Sequence, residues 1–110
     1  MKWKTSFYDQ KVMEAILKWP IGIKAKFTNI VELLEYHGPQ EVGMPFVKAM
    51  GNGLFEIRAR GKEGIGRVFF CMAIDKKIII LHSFIKKTQQ TPKKELDIAR
   101  RRMQEVKLNG

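Results

Sequence analysis

The sequence predicts an α+β domain in which an N-terminal helical hairpin packs on a small antiparallel sheet, with a further helix at the C-terminus. Three observations carry that expectation. Apolar residues recur at helical spacing through residues 8–34, alternate with polar ones at strand spacing through residues 54–85, and return to helical spacing after the pair Thr91-Pro92. A chain of 110 residues has room for one two-layer core and not for a second, so residues 1–110 read as a single domain.

Residues 2–5 fit a short first strand. Ser6 ahead of Asp9 then resembles a helix start, a polar cap followed by an acidic residue in the first turn. Tyr8, Val12, Ile16 and Trp19 follow at helical spacing, and Trp19-Pro20 interrupts them, because a residue before proline is pushed out of the helical region. Pro20 suits the first turn of a second helix, whose stripe is Ile23, Phe27, Ile30, Val31 and Leu34 and whose end is marked by Gly38-Pro39. The aromatic residues Tyr8, Trp19 and Phe27 lie on these stripes and are expected in the core. Residues 39–53 are rich in turn formers and read as a loop around a short extended piece at residues 46–50.

The next segments set the chemistry. In residues 54–60, Phe55, Ile57 and Ala59 point to one side while Glu56, Arg58 and Arg60 point to the other. With Gly61-Lys62-Glu63-Gly64 as the turn, residues 67–75 return antiparallel, and Arg58 falls opposite Arg67 as Arg60 does opposite Ile65. Like charges in that position are destabilising, which singles the pair out as an anion site or as partners of Glu56. A further turn at Asp75-Lys76-Lys77 leads into residues 78–85. If it is even in length, Ile79, Leu81, Ser83 and Ile85 join Val68 and Phe70 under the helices. Ile78, Ile80, His82, Phe84 and Lys86 then share the open face with Arg58, Arg67, Phe69 and Cys71; an odd turn would reverse every one of them. Beyond a polar loop, Thr91 caps a last helix with Pro92 at its first position and with Leu96, Ala99, Met103 and Val106 as its stripe.

Charge narrows the partners. Basic residues number 21 against 11 acidic, a net charge of +10, and the excess grows toward the C-terminus. For so small a chain this favours an anionic polymer, nucleic acid ahead of a membrane surface. One cysteine excludes an internal disulfide, and with only His37 and His82 beside it a zinc site is not expected, so metal-free chemistry without a cofactor is anticipated. No secretory signal and no run of eighteen apolar residues is present, which points to the cytoplasm.

Leu54-Phe55-Glu56-Ile57-Arg58, Gly66-Arg67-Val68-Phe69-Phe70 and the phrase from Leu81-His82-Ser83-Phe84-Ile85-Lys86-Lys87 through Thr88-Gln89-Gln90-Thr91-Pro92, with Glu95 and Ala99 behind, resemble the HigB-like, phage-derived branch of the RelE toxin superfamily. The resemblance spans about residues 45–103. It implies the toxin of a type II toxin–antitoxin pair that enters the ribosome and cuts messenger RNA, the 2′-hydroxyl attacking its own phosphate. It also implies an antitoxin partner, expected to carry a helix-turn-helix. Carried over by position, Arg67 matches the arginine on the scissile phosphate, Lys87 or its neighbour Lys86 matches the basic residue after the last strand, and Arg58 and Arg60 fall where the first core strand offers cations. The tyrosine or histidine that several relatives place near the site has no counterpart after Lys87, so the base falls to His82 or to a lysine of lowered pKa. Arg60, Phe84 and, on the last helix, Lys93, Lys94 and Arg101 are the candidates for RNA contact. The competing reading keeps the fold without the chemistry, as a basic RNA- or ribosome-binding module or an inactive relative that only engages its antitoxin. A DNA-binding regulator is disfavoured, since residues 27–34 are apolar where a recognition helix would be polar.

Overall fold

The computed structural model describes residues 2–86 and 92–109. Its elements are β1 (Lys4–Phe7), α1 (Gln10–Leu17), α2 (Ile21–His37), β2 (Val47–Gly51), β3 (Leu54–Gly61), β4 (Gly64–Ala73), β5 (Lys77–Lys86) and α3 (Lys93–Asn109). The α+β architecture of helical hairpin, sheet and C-terminal helix is the one the sequence predicts. The sheet is larger and mixed: five strands in the order β1-β5-β4-β3-β2, antiparallel from β2 to β5, with β1 lying parallel to β5 at the edge. Among the described residues no helix is long and apolar enough to cross a membrane.

Helix starts follow local hydrogen bonding. Ser6 does not begin α1; it lies in β1, and Asp9 is the cap, its carboxylate accepting from the Val12 amide at 2.9 Å. β1 lies two residues later than the strand expected at residues 2–5, because its backbone finds a partner in β5, Lys4 against Lys77 through Phe7 against Ile80. Pro20 immediately precedes α2, and the helix closes where Gly38, at φ 89°, turns its amide back to the Leu34 carbonyl. Thr91 lies outside the described residues, and Pro92 stands just before α3 rather than within it.

Two apolar layers sandwich the sheet. Val12, Ile16, Trp19, Ile23, Phe27, Ile30 and Leu34 of the hairpin pack on Ile57, Ala59, Val68, Phe70, Ile78 and Ile80. Trp19 and Phe27 meet edge to face with centroids 6.1 Å apart, in the core as expected. Tyr8 precedes α1 and is only half buried, its hydroxyl bonded to the Glu105 carboxylate. On the opposite side Leu96, Ala99, Met103 and Val106 of α3 cover Leu54, Phe69, Cys71 and Leu81. That face is therefore not open along its whole length.

The β3–β4 pairing has Arg58 opposite Arg67 and Arg60 opposite Ile65, as the glycine-bounded turn predicts. The even β4–β5 turn is overturned. Ala73 pairs with Lys77, leaving three residues between, two of which, Asp75 and Lys76, have φ of 62° and 56°. Ile78 and Ile80 consequently face the hairpin and Ile79 and Leu81 face α3, the reverse of expectation. A bulge then restores the parity: Phe69 pairs with His82 and Phe70 with Ile80, so Leu81 is the extra residue, and His82, Phe84 and Lys86 return to the side of Arg67. Arg102 of α3 donates to the Leu81 carbonyl at 2.9 Å.

Gly66 marks the tightest contact between hairpin and sheet, since a Cβ there would stand 2.5 Å from the Trp19 ring and 2.7 Å from Ile23. Gly66→Ala is expected to reduce folding stability by about 1–3 kcal/mol. Urea unfolding should show a lower midpoint at an unchanged slope.

Candidate functional site

Sheet register sets three rows of side chains on the face that α3 only partly covers. Lys48, Glu56, Phe69 and His82 form one, Arg58, Arg67 and Phe84 the next, and Arg60, Ile65 and Lys86 the last. Strand alternation brings the residues of β2, β3 and β4 to one side, and the bulge at Leu81 is what puts β5's share of them there.

Glu56 has no exposed surface, and Arg67 is 2% exposed. One carboxylate oxygen, Oε1, accepts from Nε of Arg58 at 3.2 Å and from a terminal nitrogen of Arg67 at 3.0 Å. The cross-strand arginine repulsion is thus offset by an internal anion, and both guanidiniums are held in place. Two donors are left over. Arg67 Nε and Lys86 Nζ are buried with no hydrogen-bond partner among the described residues. Lys86 is 5% exposed, and burial, followed by the neighbouring Arg67 guanidinium, pushes its ammonium below the usual lysine range against the opposing pull of Glu56. Unsatisfied cationic donors this deep are costly in a resting fold and suit an anion that arrives later.

Beside them opens a cleft of about 290 Å³ lined by Arg58, Arg60, Arg67, Ile65, Pro45, Phe46 and Lys26. Lys26 reaches it from α2 and rests its ammonium 4.7 Å from the centre of the Phe46 ring. Cations from a helix and from two strands converge on one concavity.

The sequence-derived candidates fall into three groups. Arg58, Arg67 and Lys86 come together with Arg60 at the rim of the cleft. His82 lies one row away, hydrogen-bonded through Nε2 to Glu95 Oε1 of α3 at 2.6 Å, its ring stacked beside Phe84, which in turn lies tilted against Phe69. Lys93, Lys94 and Arg101 are exposed on α3 and do not line the cleft. Lys87 lies outside the described residues. Sequence reading missed Lys26, Pro45 and Phe46, which no local pattern connects to the arginines; it offered Glu56 as the arginines' partner in place of an anion site, and that pairing is present. The signal for Glu56 was present in its spacing two residues before Arg58.

Comparison with known proteins adds a family and a fold. Residues 14–104 match the family described as phage-derived protein Gp49-like. Among solved structures, the chain is similar to one in the crystal structure of the archaeal RelE-RelB complex from Pyrococcus horikoshii OT3, with a TM-score of 0.57 and 24% identity, covering 81% of this chain and all of that one. No curated protein matches the sequence.

Two substitutions separate the charges' contributions to folding. Glu56→Gln removes the counter-charge of two guanidiniums and is expected to destabilise by about 3–5 kcal/mol in denaturant titration. Lys86→Met should instead stabilise the protein at pH 7 by about 1–3 kcal/mol. The sign follows from linkage: the folded pKa lies below the unfolded one, so the unfolded chain binds more protons between them. Wild-type stability therefore rises as pH climbs toward the ordinary lysine value of 10.5, and the advantage of Lys86→Met shrinks across that window.

Proposed function

The chain belongs to the phage-derived Gp49-like family and has a RelE-type fold, and from that premise we propose that it is the toxin of a type II toxin–antitoxin pair, a ribosome-dependent endonuclease of messenger RNA. The single observation that carries the chemistry is the pair of buried cationic donors without partners, Arg67 Nε and Lys86 Nζ, at the edge of an arginine-lined cleft. A phosphate is the anion that fits three converging cations.

The cleavage proposed is metal-independent and takes place on the ribosome. The RNA 2′-oxygen attacks the adjacent phosphorus, the bond to the 5′-oxygen breaks, and a 2′,3′-cyclic phosphate and a 5′-hydroxyl result. Arg67 and Arg58, oriented by Glu56, take the charge that builds on the phosphoryl oxygens. Lys86, an unpartnered buried amine in the row next to Arg67, with burial and that arginine pushing it below the usual lysine range, is placed for proton transfer with the 2′-hydroxyl or the leaving oxygen. His82, oriented by Glu95, is the second group fit for either role, and Lys87 retains the role that the resemblance gives it. Arg60 and Phe84 contact the message near the cut, while Lys93, Lys94 and Arg101 offer phosphate contacts from the exposed side of α3. The partners are a helix-turn-helix antitoxin, the ribosome and its message, in the cytoplasm.

One observation favours the binding-only reading: Glu56 already occupies part of the arginine pair. Primer extension on a message in a reconstituted translation reaction separates the two. Wild-type protein should produce cuts within codons only when ribosomes are present, and Arg67→Ala should lower cleavage by about 100-fold or more. Folded wild-type protein that leaves the message intact with ribosomes present would sink the endonuclease reading and favour the binding module.

A further inference from the structure

Three features of the cleft are not used by the reaction itself. Lys26 comes from the helical hairpin, far in sequence from the catalytic strands, and is only partly exposed. Phe46 stands at the entry to β2, its carbonyl accepting from the Arg58 amide at 2.8 Å, so its backbone is fixed to the strand that carries the catalytic arginine. Pro45 extends the apolar wall on which Phe46 sits.

An aromatic ring beside a row of cations is the pairing by which a protein takes hold of single-stranded nucleic acid: the base covers the ring and the phosphate meets the charge. We infer that Lys26 and Phe46 form a nucleotide subsite adjoining the Arg58–Arg67 pair, Phe46 stacking an unpaired base and Lys26 binding the phosphate next to the scissile one. The inference rests on the endonuclease reading and names how that site holds its RNA.

The Lys26 ammonium now lies over the ring that the base would cover. A contact of this kind between a half-exposed lysine and phenylalanine is weak, so an incoming base displaces it readily. The freed ammonium remains at the cleft wall, where a phosphate is a stronger partner than a ring. The cleft, of about 290 Å³, is of single-nucleotide scale, which suits a strand whose bases are already unstacked.

The test uses the full chain and a fluorescein-labelled 2′-O-methyl RNA hexamer, which cannot cleave itself, titrated by anisotropy over a range of salt. Lys26→Gln should reduce the slope of log affinity against log salt by about 0.7, the value for one phosphate contact on a single strand, and Lys26→Arg should restore it. Phe46→Leu, which keeps apolar packing while removing the ring, should weaken binding by about tenfold at an unchanged slope. Circular dichroism melting confirms that each variant is folded. An unchanged slope in Lys26→Gln, or an unchanged affinity in Phe46→Leu, overturns the subsite. If Arg67→Ala still weakens binding in that case, the endonuclease reading survives it. Failure of wild-type protein to bind the hexamer at low salt also overturns the subsite, and the translation assay then judges the endonuclease reading independently.

Discussion

A carboxylate sealed from water governs the cationic end of this sheet. Glu56 sits on the strand face where Arg58 and Arg67 oppose each other, and it accepts from both. Arginine is suited to this arrangement: its planar fork spends some donors on an internal partner and keeps others, as Arg67 Nε remains unspent. The guanidiniums are thereby oriented before any ligand arrives. Lys86 is the complement of this arrangement, a buried cation that the fold tolerates without satisfying.

The second determinant is the way β5 changes sides. Its first half supplies Ile78 and Ile80 to the layer under the hairpin and Ile79 and Leu81 to the layer under α3. Past the bulge, His82, Phe84 and Lys86 follow the parity of Arg67. A regular strand entered from the same three-residue turn would direct Lys86 toward the hairpin instead. The bulge is secured from outside the sheet, since Arg102 of α3 takes the Leu81 carbonyl and lies against the Tyr8 ring. The C-terminal helix thus acts on the site through the strand it covers.

The helical hairpin, the β3–β4 register and the amphipathic last helix were legible because each is written in local periodicity. Gly61 and Gly64 fix one turn, and alternation does the rest. The β4–β5 turn was not legible, because Asp75 and Lys76 adopt positive φ without the glycine that advertises it, and because nothing around Leu81 marks a bulge. Ser6 read as the cap, with Asp9 in the first turn, because the partner that draws Ser6 into β1 lies about seventy residues downstream, which no window of sequence contains. Of the site, the arginines and Lys86 could be placed by strand parity. Lys26 and Phe46 could not, since only the docking of α2 against the entry to β2 brings them together.

The parallel edge strand bears on how the protein is made. β1 is made before β2 to β5, yet its partner is β5, Lys4 meeting Lys77, so residues 4–7 wait for the rest of the sheet before their backbone is paired. The rows that hold the cations need β3, β4 and the far end of β5 together, and the strand face needs α3 to close it. A nascent chain that has emerged only as far as β4 carries Arg58 and Arg67 but no complete site. Synthesis itself therefore delays assembly of the cationic face, and whatever meets the chain as α3 emerges meets a face that has only just formed.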